Sequence, residues 1–200
     1  MSTSADLIQK TIAEHTVTVE AFQKACSGVI EEMADLCVAA LRAGHKVCFL
    51  GNGGSAADSQ HLATEFVVRF TRNRKGLPAL AFTTDTSVLT ACANDFGFEA
   101  VFARQVEALC VPGDIVVGIS TSGNSANVVR ALEFAKQSGI TSFAFTGAAG
   151  GRCGEAADLL LSVPSKITAR VQECHLLAGH LVCDLVEIAF AETKSAISGS

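Results

Sequence analysis

Two hundred residues, about half of them apolar, suit one compact hydrophobic core. The formal net charge of −5 comes from interspersed acids and bases, so no basic stripe is available to hold a nucleic-acid backbone, and nucleic acid is not an expected partner. Hydrophobic stretches are short, and Asp6 and Gln9 interrupt the amino-terminal apolar pattern where a secretory signal needs a continuous run; no membrane partner and a cytoplasmic location are expected.

The amino-terminal segment, residues 1–44, reads as two helices. Leu7, Ile8, Ile12 and Val19 mark the first. Val29, Met33, Leu36, Cys37, Ala40 and Leu41 mark the second, which stops near Gly44, where a left-handed cap is easy. Together they carry more apolar positions than a three-layer sandwich needs, which is compatible with burial at a subunit interface.

From Lys46 onward the pattern changes to short apolar runs at Val47–Leu50, Ala79–Phe82, Ile115–Ile119, Ser142–Phe145 and Leu159–Val163. Each ends in a polar or glycine-rich loop and is followed by helix-like sequence. This rhythm of βαβ units predicts an α/β three-layer sandwich with a doubly wound, five-stranded parallel sheet over residues 46–194. The closing helix, from about Arg170 to Thr193, takes its apolar positions from Val171, Leu176, Leu177, Leu181, Leu185 and Ile188. Thr71–Gly76 and the tail, residues 195–200, look flexible, and no repeat or linker divides the chain.

Eight cysteines are present without a C-x-x-C pair, and apolar neighbours favour small buried hydrophobes over a metal or disulfide framework. Cys183, one turn after His180, is the conceivable exception.

In such sheets ligands sit outside the carboxyl ends of the strands. Two strand-to-helix loops there invite a ligand. Gly51-Asn52-Gly53-Gly54-Ser55 turns tightly and offers free amides at a helix start. Ser120-Thr121-Ser122-Gly123-Asn124-Ser125 adds four hydroxyls, which donate to phosphate oxygens without a fixed positive charge. Either loop alone is equally well an ordinary turn, with Ser125 as an N-cap in the second; two at neighbouring strand ends favour a ligand. No G-K-[ST] and no G-x-G-x-x-G is present, which argues against nucleotide chemistry. The third loop, TGAAGG at Thr146–Gly151, is assigned no chemistry.

His61 and Glu65, four residues apart, share one helix face about 40° wide, as a metal-binding or acid–base pair would; solvated surface pairs of this kind are also common. Gln172 and His180 point about 80° apart and reach one cavity, whereas His175 points about 140° from His180 and reads as a hydrogen-bonded packing residue.

Gly51–Glu65 (GNGGSAADSQHLATE), Asn94-Asp95, STSGNS from Ser120, and VQECHLLAGH from Val171 to His180 together resemble the phosphoheptose isomerase family. The likeness runs from the amino-terminal helices to the closing helix. It implies a flavodoxin-like sugar-isomerase (SIS) domain, a homotetramer with active sites between subunits, and conversion of D-sedoheptulose 7-phosphate to D-glycero-D-manno-heptose 7-phosphate for bacterial surface heptose. By that resemblance Ser120, Thr121, Ser122 and Ser125 hold phosphate. Asn52, Gly53, Gly54, Ser55, Asn94 and Asp95 line the sugar with Glu65 and Gln172, and His61, Glu65, Gln172 and His180 bind one Zn2+ per subunit. Ala169 departs from the pattern, since some relatives carry an acid three positions before the glutamine.

Aldose–ketose exchange moves a proton between adjacent carbons, and one base serves both through an enediolate; Glu65 is the candidate base. His180, which titrates nearest neutrality, is the candidate for moving protons at the oxygens, while zinc or nearby donors stabilise the oxyanion. The alternatives are a non-catalytic SIS-domain partner of the bacterial replication initiator, against which Glu65 and His180 argue, and a sugar-phosphate-sensing regulatory domain, for which no helix-turn-helix segment is evident.

Overall fold

The computed structural model describes residues 3–191. The expected tail and the predicted helix end at Thr193 lie outside the described residues.

Helix α1 (Ser4–Arg42) is one continuous helix of 39 residues where the periodicity predicts two. No proline interrupts it between Val19 and Val29, and Gly28 has open space around it, so nothing breaks the hydrogen-bond ladder. Its start is closed by a reciprocal capping box: Thr3 Oγ1 accepts from the Asp6 amide at 3.1 Å, and Asp6 Oδ2 accepts from the Thr3 amide at 2.8 Å. At 1.5 Å per residue α1 is about 58 Å long. Its second half buries Phe22, Cys26, Ile30, Met33 and Cys37, while Leu7, Ile8, Ile12 and Val17 near its start stay exposed.

Every apolar run forms a strand: β1 (Val47–Gly51), β2 (Ala79–Ala81), β3 (Ile115–Ser120), β4 (Thr141–Thr146) and β5 (Leu159–Ser162). All pairs are parallel, in the order β2-β1-β3-β4-β5. The chain therefore reverses its direction of travel between β1 and β3, the switch point at which ligands bind such sheets.

Strand alternation sorts the core into two layers. Val47, Phe49, Val117 and Phe143 meet α1, α2 (Gly54–Val67) and α7 (Thr168–Phe190) on one face. Cys48, Leu50, Val116 and Ala144 meet α3 (Thr86–Phe96), α4 (Ala103–Leu109), α5 (Ala126–Gln137) and α6 (Gly151–Ala156) on the other. This is the predicted three-layer, doubly wound sandwich. All eight cysteines are buried free thiols, as the apolar surroundings suggest.

Helices α2 and α7 lie side by side in the same direction, and three contacts give their register. A Cβ at Gly54 would stand 2.5 Å from Gln172 Nε2, one at Gly179 would stand 2.4 Å from Leu62 Cδ2, and His61 meets His180 between their Nε2 atoms at 2.7 Å.

Beyond α2 the Thr71–Gly76 stretch, expected to be flexible, is instead bound to the buried Glu187 near the end of α7. The carboxylate accepts from the amides of Phe70 (2.8 Å), Thr71 (2.7 Å) and Arg72 (2.7 Å) and from the Thr71 hydroxyl (3.1 Å). Arg74 completes the anchor, with its Nε 3.3 Å from Glu187 and its Nη1 and Nη2 donating to the Phe66 and Glu65 carbonyls at 2.8 and 2.6 Å. Burial pushes the Glu187 carboxyl up, but the three amides outweigh it and hold it below the usual carboxylate range. Composition misleads here because the partner is more than a hundred residues away.

Candidate active site

The two predicted loops flank the switch point, GNGGS after β1 and STSGNS after β3. Neither N-cap residue, Gly53 of α2 or Ser125 of α5, makes a side-chain cap bond, and neither first turn carries an acidic residue, so both helix starts remain positive. Ser125 does not cap α5. Its hydroxyl lies 2.9 Å from that of Ser120, which is itself 3.4 Å from that of Ser122, so the hydroxyls turn towards one another. Hydroxyls gathered in this way can donate to the oxygens of an anion.

The TGAAGG loop and the start of α6 buttress the STSGNS loop. The Gly147 amide donates to the Thr121 carbonyl at 3.1 Å, the Cys153 amide to the Gly123 carbonyl at 2.8 Å, and the Arg152 amide to Asn124 Oδ1 at 3.2 Å. A Cβ at Gly123 would come within 2.2 Å of the Gly150 carbonyl oxygen, so any side chain there would drive the two loops apart.

In the GNGGS turn, Ser55 is buried beneath the start of α2 and Gln172 lies over Gly54. Asn52 pairs with Asn127 through two amide hydrogen bonds of 2.8 Å each. Asn127 is a residue the sequence reading misses: its only signal is a buried polar side chain one position into α5, and its partner lies 75 residues earlier.

Further along α2, His61 Nε2 lies 3.6 Å from Glu65 Oε1 as well as 2.7 Å from His180 Nε2. The shared face read from the four-residue spacing is real, and α7 turns it into a three-residue cluster. Two Nε2 atoms at this separation require one ring to donate and the other to accept. Phe70 stacks on His180 with centroids 5.2 Å apart, fixing its plane. Burial lowers the His180 pKa, the His61 ring lowers it further and Glu65 partly opposes both, so the imidazole is neutral at pH 7.

Two imidazole nitrogens and a carboxylate are donor types suited to zinc. Among the described residues no three His, Cys, Asp or Glu side chains are already arranged as a cage. The histidines touch directly, closer than the about 3.3 Å that separates two ligands of one tetrahedral zinc. Gln172 stands apart, eight residues or about 12 Å up α7 from His180. Asn94 and Asp95 occupy the exposed end of α3, where Asn94 Nδ2 donates to Asp95 Oδ1 at 2.8 Å. Ala169 is exposed in the first turn of α7. His175, in contrast, is buried with its Nε2 3.0 Å from the Thr146 carbonyl, the packing role its direction predicts.

The doubly wound sheet and serine-rich loop define an SIS domain, and the SIS domain model matches residues 12–147. A phosphoheptose isomerase from Paramagnetospirillum magneticum is 51% identical over 187 residues, covering 94% of this chain and 97% of the relative. Among solved structures, the phosphoheptose isomerase from Neisseria gonorrhoeae matches with a TM-score of 0.87 at 40% identity, over 93% of this chain and 100% of that one. That from Francisella tularensis gives 0.90 at 35%, over 94% and 100%. The chain belongs to the phosphoheptose isomerase family. It is an enzyme, and the reading as a non-catalytic binding partner is not favoured.

Proposed function

We propose that the protein interconverts D-sedoheptulose 7-phosphate and D-glycero-D-manno-heptose 7-phosphate through an enediolate, in the cytoplasm, for bacterial surface heptose. The observation that carries this reading is the meeting of His61, Glu65 and His180 in a protein whose switch point bears an open hydroxyl cradle. The hydroxyls of Ser120, Thr121, Ser122 and Ser125 and the start of α5 hold the phosphate. The GNGGS turn, with Gln172, Asn94 and Asp95, contacts the sugar.

Glu65 takes the proton from one carbon and returns it to the neighbouring carbon. Neutral His180 donates and accepts at the two oxygens, so that charge never accumulates on both at once. A zinc ion would be held by His61, Glu65 and His180; Gln172, the fourth donor implied by the family resemblance, lies about 12 Å away along α7 and would reach that ion only from another subunit. When bound, the ion supplies Lewis-acid stabilisation of a developing oxyanion. Along α2, His61 and Glu65 lie about 10 and 16 Å from Gly54, so the GNGGS turn and the cluster of one chain stand well apart. Active sites formed between subunits of a homotetramer answer that separation, because one chain's cluster then serves another's cradle.

The test is turnover of sedoheptulose 7-phosphate by metal-free and zinc-restored enzyme. Glu65→Gln is expected to lower turnover roughly a thousandfold or more while still binding the sugar phosphate. Full activity in that variant would remove Glu65 as the base, and no turnover by the unaltered protein in either metal form would overturn the isomerase reading.

A further inference from the structure

We propose that Asn127 is a positioning residue: it acts through Asn52 to hold the sugar-contacting GNGGS turn at a set place relative to the phosphate grip. The proposal rests on the cradle and turn assignments made above.

The parallel ladder between β1 and β3 reaches only to Gly51 opposite Ile119. Past that rung the backbones separate, one entering α2 and the other α5. Asn127, in the first turn of α5 and 3% exposed, bridges the gap. Its Nδ2 donates to Asn52 Oδ1 at 2.8 Å, and Asn52 Nδ2 donates to Asn127 Oδ1 at 2.8 Å. Asn127 Oδ1 also accepts from the Val128 amide at 3.0 Å, which locks the side chain to the helix start.

Two antiparallel amide bonds fix both distance and orientation, as a single bond does not. Because Asn127 follows Ser125 by two residues on a rigid helix, its side chain moves with the phosphate loop. Asn52 sits in the turn that starts α2. Among the described residues this is the side-chain hydrogen-bonded link between the two loops. A ligand gripped at its phosphate by one loop and touched along its carbon chain by the other depends on that link for alignment. Loss of alignment slows the chemical step more than it weakens the phosphate grip.

Asn127→Ala removes the link. Asn127→Asp keeps acceptors for Asn52 Nδ2 and the Val128 amide but sets a carboxylate oxygen against Asn52 Oδ1. The experiment measures kcat and KM for sedoheptulose 7-phosphate, competitive inhibition by inorganic phosphate, and thermal unfolding. It uses the full chain carrying each change, Asn52→Ala, and the Asn52→Ala/Asn127→Ala pair. Both Asn127 variants are expected to lose roughly tenfold or more in kcat, with the phosphate inhibition constant within about twofold of the unaltered protein. The double variant should be no slower than the slower single variant, since one interaction is removed either way.

Unchanged kcat in both Asn127 variants, additive losses in the pair, or phosphate affinity falling in step with kcat overturns the proposal. Failure of either Asn127 variant to fold leaves the other, together with the Asn52 arm, to decide it. Inactivity of the unaltered protein is distinct from all of these and instead overturns the isomerase reading on which the proposal stands.

Discussion

His175 shows how much one buried side chain shapes the behaviour of the whole chain. Its Nε2–H donates to the Thr146 carbonyl at 3.0 Å and its Nδ1 has no hydrogen-bond partner, so the ring is held neutral in one tautomer. Burial lowers its pKa to about 4 against the opposing pull of the carbonyl bond. An unfolded histidine titrates near 6.5. Between those values the unfolded chain binds a proton that the native chain refuses, so the native state is fully favoured above about pH 6.5 and loses ground as pH falls towards 4. About 2 kcal/mol is lost by pH 5. The drop in urea midpoint between pH 7.5 and pH 5 should therefore be smaller in His175→Gln than in the unaltered protein; an equal drop would assign the acid sensitivity elsewhere. The packing role of His175 is legible from its direction on the helix, whereas Ser125 is not settled by sequence, because a cap and a cradle hydroxyl demand the same residue at the same place.

At the scale of elements, the decisive contact is between α2 and α7. A Cβ at Gly179 would stand 2.4 Å from Leu62 Cδ2, and Leu62 is itself fully buried, so a side chain at position 179 must push the helices apart or force Leu62 off its rotamer. His180 and His61 are the next residues on either side, so this spacing also sets whether their Nε2 atoms meet. Gly179→Ala should lower turnover of the sugar phosphate. Its overpacking penalty of about 1–3 kcal/mol is partly offset by about 1 kcal/mol of better helix propensity. Turnover and urea midpoint together check this, and native values of both would show that the interface has room. The apolar stripes of these helices are readable from periodicity, but their register is not, since it depends on which small residue lets the backbones approach.

For the whole molecule, α1 carries the largest departure from the sequence reading. Leu7, Ile8, Ile12 and Val17 are 58–66% exposed on a helix whose later turns are packed against α7 and the sheet. Apolar side chains left exposed along one segment suit a helix–helix contact with further copies. Under the proposed tetramer, a charge pair there, Ile8→Asp with Ile12→Asp, should yield a smaller species by sedimentation and lose turnover, because cradle and cluster then no longer meet across subunits. An unchanged mass would place the interface elsewhere.

The strand runs, their order along the chain, the two loops that flank the switch point and the His61–Glu65 face are determined by sequence alone, because each is a local pattern: a short apolar run, a glycine or serine cluster, or a four-residue spacing. The resemblance to phosphoheptose isomerases rests on the same local segments. What only the tertiary structure decided are the pairings across long intervals: Asn52 with Asn127, His61 with His180, Gln172 over Gly54, and Glu187 with the 70–72 amides. No local propensity encodes these. Each exists because packing α2, α5 and α7 around one sheet brings distant polar groups together, and the buried ones, Asn127 and Glu187, must find a partner there.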